Sequence, residues 1–128
     1  MGKIIRKRYD LPLVQNAEDN AKGDFELDKH TARVRGLLLT SDRDEMLYHR
    51  GTVQILLNGE EVIPDEYHTK LLMSGLGVAP KNRYLPMDHA PGNGILKAIY
   101  TDSNSAVQGF DPYTVSIYLE IELEEDAQ

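Results

Sequence analysis

Tyr113-Thr114-Val115-Ser116-Ile117-Tyr118-Leu119-Glu120-Ile121-Glu122-Leu123 is the stretch that decides the fold. Tyr113, Val115, Ile117, Leu119, Ile121 and Leu123 alternate with Thr114, Ser116, Tyr118, Glu120 and Glu122. A strict period of two sends the apolar set to one side of an extended chain and the polar set to the other. The segment therefore reads as a strand with one buried and one wet face.

Working outward, Ile95–Thr101 carries apolar residues on both faces and reads as a central strand. Thr52–Leu57 and Glu60–Ile63 flank Asn58-Gly59. That dipeptide supplies the two positive-φ positions of a tight hairpin turn. Arg33–Thr40 suits a buried strand in length and content, and Phe25-Glu26-Leu27 alternates briefly. Ser41–Asp44 and Asp102–Asp111 read as turns, and Gly77–Gly94, with Pro80, Pro86 and Pro91, as a long loop. One short helix is expected near 65–74. Pro64 opens it, Asp65 and Glu66 sit at its positive end, and Ser74-Gly75 closes it. Several strands with almost no helix define an all-β fold. A two-sheet antiparallel sandwich, jelly-roll-like, is the expected architecture, with an immunoglobulin-like sandwich second.

Residues 1–23 read as an extended basic N-terminal arm and linker, and 24–128 as the β-sandwich domain. Lys3, Arg6, Lys7 and Arg8 place four of the fourteen basic residues in the first eight positions. Glu120, Glu122, Glu124, Glu125 and Asp126 gather five of the twenty-one acidic residues near the other end. The net charge is −7. An acidic domain with one short basic arm is a poor nucleic-acid binder, so such contact is expected only through the arm. The longest apolar stretch, Gly36–Leu39, is far too short to cross a membrane, and no signal peptide is visible. There is no cysteine, which removes disulfides, thiol catalysis and thiolate metal sites.

No catalytic, metal or cofactor set is expected. His30, His49, His68 and His89 lie 19 to 21 residues apart and form no close ligand pair. Asp42-Arg43-Asp44-Glu45 offers alternate carboxylates, but the arginine among them and the missing glycine favour a solvated turn over a calcium loop. Glu60-Glu61 follows directly on a turn, where surface charge is ordinary. Two groups stand out as partner contacts. Arg6, Lys7 and Arg8 could dock on the Glu120 and Glu122 face, in the same subunit or the next, with Ile4, Ile5 and Tyr9 supplying apolar area. Arg83 and Tyr84 sit on the proline-stiffened loop and are residue types enriched at interfaces.

Arg35-Gly36-Leu37-Leu38-Leu39-Thr40-Ser41-Asp42, Tyr48-His49-Arg50-Gly51-Thr52, Asn58-Gly59-Glu60-Glu61-Val62-Ile63-Pro64 and Pro112-Tyr113-Thr114-Val115-Ser116 resemble small jelly-roll structural proteins of bacteriophage capsids and virions. The likeness spans roughly residues 33–120. It implies a non-enzymatic virion component, found in the virion or the cytoplasm of the producing cell. Its partners would be copies of itself, in a symmetric oligomer, and other virion proteins. No residue roles are carried over from it. A carbohydrate- or protein-binding sandwich using the 77–94 loop is the alternative.

Overall fold

The computed structural model describes residues 3–16, 18–74, 83–90, 94–103 and 110–124. Eight strands are set out among them: β1 (Ile4–Asp10), β2 (Asn20–Glu26), β3 (Thr31–Ser41), β4 (Gly51–Leu57), β5 (Glu60–His68), β6 (Leu85–His89), β7 (Ile95–Asp102) and β8 (Val115–Leu123). One helix, α1 (Asp44–Arg50), and a single 3-10 turn, Thr69–Leu71, complete the described elements.

Strand pairing gives the architecture. β1 pairs with β8, β2 with β7, β3 with β6 and β4 with β5, all antiparallel. The chain is thus one long ribbon folded back on itself, first strand against last. Its tip is the β4–β5 hairpin, where Asn58 and Gly59 have φ of 55° and 75°, the left-handed pair a two-residue turn needs. The ribbon wraps because β3 also pairs with β8, and β4 with β7. Two four-stranded sheets result, β1-β8-β3-β6 and β2-β7-β4-β5. This is a jelly roll.

The core lies between the sheets. Tyr113, Val115, Ile117, Leu119 and Ile121 are all fully buried, so the alternation that marks the last strand is a true inner face. Val34, Leu37 and Leu39 of β3 join them, with Val53, Ile55 and Leu57 of β4 and Leu96, Ala98 and Tyr100 of β7. Gly51 lets the Tyr100 ring in: a Cβ there would fall 2.3 Å from the ring and its hydroxyl.

Three expectations are corrected. The helix near 65–74 is reduced to the single 3-10 turn Thr69–Leu71 within the described part, Asp65–Ser74. β5 continues to His68 because Val62, Ile63 and Tyr67 pack on the core and the strand pairs with β4 as far as Thr52↔His68. Pro64 is tolerated where the register shifts on this edge strand. The one described α-helix lies instead at Asp44–Arg50, which buries Leu47 and Arg50. Within the supposed 77–94 loop, Leu85–His89 is an edge strand, its Leu85 and Met87 turned toward the core. Gly75 and the remainder of that loop, 77–82 and 91–93, lie outside the described residues. Finally, residues 4–10 and 20–26 are strands of the sandwich, not an arm and linker beside it. Leu11, Val14 and Ala21 are core residues, and Val14 bridges to Tyr113. The physical reason is the ribbon itself: without β1 and β2, β8 and β7 would each lose a partner.

Candidate functional site

The outer face of the β1-β8-β3-β6 sheet brings together residues that the sequence offers separately. β1 and β8 pair with Arg6 opposite Glu120 and Arg8 opposite Tyr118. Side chains at those positions project outward, while Ile5 and Tyr9 pack on the core. Arg6 donates from Nε and Nη2 to Glu120 Oε2 at 3.2 and 3.0 Å. Its guanidinium also lies over the Tyr84 ring, 5.2 Å from the centroid. A basic residue of the first strand and an aromatic next to β6 therefore meet across the sheet, within one chain.

The rest of the face is knitted by charge. Arg35 donates to Glu122 Oε1 at 2.9 Å and pairs with Asp88 at 3.0 Å. Arg33 donates from Nε to Asp88 Oδ1 at 2.5 Å. Arg8 donates to Asp10 at 2.8 Å, and the Ser116 hydroxyl donates to the same carboxylate at 2.6 Å. The Ser116 hydrogen bond, with Arg8, holds the Asp10 carboxyl below its usual range. Arg33 and Arg35 do the same for Asp88. β8 is thus a central strand, and its glutamates serve as counterions to arginines on both neighbours. Lys7 and Ile4 stay exposed on β1.

Arg6, Arg83, Tyr84, Tyr118, Leu38 and Thr40 line an open depression of about 290 Å³ on this face. Burial raises the pKa of the Tyr84 hydroxyl. Guanidinium, phenol and threonine hydroxyl groups around an aromatic floor can hydrogen-bond a polyhydroxylated or anionic group laid on it. A second cavity of about 370 Å³ runs between the β5 and β6 edges, lined by Glu60–Ile63 and Leu85–His89. There His89 Nε2 meets Glu60 Oε2 at 3.1 Å and ties the two sheets together.

A buried polar cluster escapes sequence reasoning altogether. Asp102, expected in a turn, is the last residue of β7 and is 1% exposed. It accepts from Arg50 Nε and Nη2 at 3.0 to 3.2 Å and from the Glu18 amide at 3.1 Å. The Tyr113 hydroxyl donates to it as well. Tyr100 and Tyr113 share a further hydrogen bond of 2.5 Å. Arg50 also donates to the Ser103 carbonyl at 2.7 Å and stacks on Phe110. These contacts join the end of α1, the end of β7 and the approach to β8. Their chemistry is that of a satisfied structural clamp: no side chain in it is left with an unmet hydrogen bond. No signal in the sequence marks an arginine 52 residues from its carboxylate as a partner.

The chain matches no known family model, no curated protein and no solved structure.

Proposed function

We propose that this protein is a non-enzymatic assembly unit, a virion or capsid-associated jelly roll that forms a symmetric oligomer through its sheet edges. The observation that carries the reading is the complete wrapped ribbon with β1 and β2 as edge strands on one side and β5 and β6 on the other. Jelly rolls of this kind serve as capsid building blocks, and also as lectins. Fold alone does not choose between those uses. What supports assembly is the place of β1 at the end of its sheet, pairing with β8 alone among the described strands, so that its outer edge can meet a neighbour.

The test is light scattering of the full-length protein over a wide concentration range, with electron microscopy of the particles. The reading expects one discrete symmetric species that grows in population with concentration. A monomer at every concentration overturns it.

One observation favours the second reading, a carbohydrate-binding module. Arg83 and Tyr84 line the outer-face depression with Arg6 and Tyr118. Saturable glycan binding that Tyr84→Ala abolishes while the fold is retained would select it.

A further inference from the structure

The β5 side of the sandwich is acidic, whereas the β1/β2 side sets exposed lysines beside the exposed Asp24 and Glu26 of β2. β1 lies over β2 on one side, as the Tyr9–Phe25 ring contact at 5.2 Å records. β6 lies over β5 on the other, as the His89–Glu60 pair records. On the first side Arg6 and Arg8 are taken up by Glu120 and Asp10. Lys3, Lys7 and Lys22 are exposed there and have no carboxylate partner among the described residues. On the second side β5 carries Glu60, Glu61, Asp65 and Glu66 in nine residues, with no lysine or arginine. Glu61 accepts from the neutral Gln54 amide at 2.6 Å, and Glu60 from His89. Neither glutamate has a lysine or arginine partner among the described residues.

We infer that the lysine-bearing β1/β2 side of one copy docks on the glutamate-bearing β5/β6 side of a second copy of this chain. The inference rests on the self-assembly reading above and gives that assembly its contact. Joining two β5/β6 sides would bring Glu61 against glutamate, and like charges placed opposite one another repel, whereas the exposed lysines of β1 and β2 offer that side its cations. Joining unlike sides matches charge, and such a head-to-tail contact closes into a ring or runs on as a filament. Two features shape it. Lys7 sits on the core-facing side of β1 yet is exposed, and Pro64 with its register shift interrupts β5. Both hinder a continuous strand-to-strand ladder. Side chains therefore make the contact, and salt weakens it.

Sedimentation velocity of the full chain tests this at low and high salt, comparing wild type, Lys7→Glu, Glu61→Lys and the double variant, with circular dichroism confirming each fold. Lys22→Glu stands in for Lys7→Glu should that variant misfold. Wild type is expected to associate at low salt and separate at high salt. Each single reversal should weaken association about tenfold or more, and the double reversal, which swaps the charges, should recover it. Association that ignores the single reversals, or a double variant as weak as either, overturns the charge-matched contact and leaves self-assembly standing. A wild-type monomer under all conditions overturns both.

Discussion

Asp102→Ala is expected to destabilise the fold by about 3–5 kcal/mol, the cost of breaking a buried ion pair by removing one partner. Arg50 and Asp102 are 3% and 1% exposed, so neither can turn to solvent without opening the structure. With the carboxylate gone, Arg50 keeps the Ser103 carbonyl and the Phe110 ring but loses its ion pair with Asp102. Tyr113 also loses its acceptor, and the Glu18 amide loses its own. The double variant Asp102→Ala, Arg50→Met should recover much of the loss, because a buried pair replaced by apolar groups of similar size is often neutral. Urea unfolding followed by circular dichroism measures both. A single-variant loss below about 1 kcal/mol, the level of an exposed pair, would show that the cluster is open to water.

The second large effect is alkaline unfolding. Burial is the leading cause that pushes the Tyr100 and Tyr113 hydroxyls well above the usual tyrosine range. For Tyr113 the hydrogen bonds to Asp102 and Tyr100 push the same way. A tyrosine whose folded pKa is raised favours the native state fully below its unfolded pKa, about 10. Above that, the unfolded chain binds fewer protons than the native one, so stability falls as pH rises. Each tyrosine contributes about 1.4 kcal/mol per pH unit in that window, so a loss of several kcal/mol accumulates within two units. Tyrosinate absorbance and circular dichroism recorded together should show the last two of the seven tyrosines ionising as the strands melt. Full tyrosinate absorbance on an intact fold would contradict this. At the acid end the sign reverses. Asp10 and Asp88, held low by their partners, lose their contribution as pH falls through their folded values. Both are largely exposed, so that loss should be gentle.

What sequence made legible was whatever depends on neighbours along the chain. The alternation from Tyr113 to Leu123 and the Asn58-Gly59 turn each announce themselves locally, and together they hold the last strand and the tip of the ribbon. What it concealed depends on partners far away. β6 reads as loop because Pro86 interrupts five residues, yet Leu85 and Met87 still alternate toward the core; β3 supplies the context that makes it a strand. β5 carries helix-start signals at Pro64-Asp65-Glu66, and pairing with β4 overrides them. The basic segment at residues 3–8 looks like a solvated terminus until β8 is seen beside it. Of the candidate contacts, Arg6, Glu120 and Tyr84 were visible as residue types, while their meeting is a product of topology.

That topology stands on β1 closing the ribbon against β8 of its own chain, and the absence of native cysteine makes a direct test clean. Hydrogen bonds at Lys3·Leu123 and Leu11·Val115 fix the alternation and put Arg8 and Tyr118 in a non-hydrogen-bonded pair. Such pairs bring Cα atoms to about 4.5 Å, within the range a disulfide spans. Arg8→Cys combined with Tyr118→Cys, oxidised in dilute solution and run on a denaturing gel, should give an internally cross-linked monomer. Covalent dimers, or two thiols that never join, would contradict the jelly roll described here.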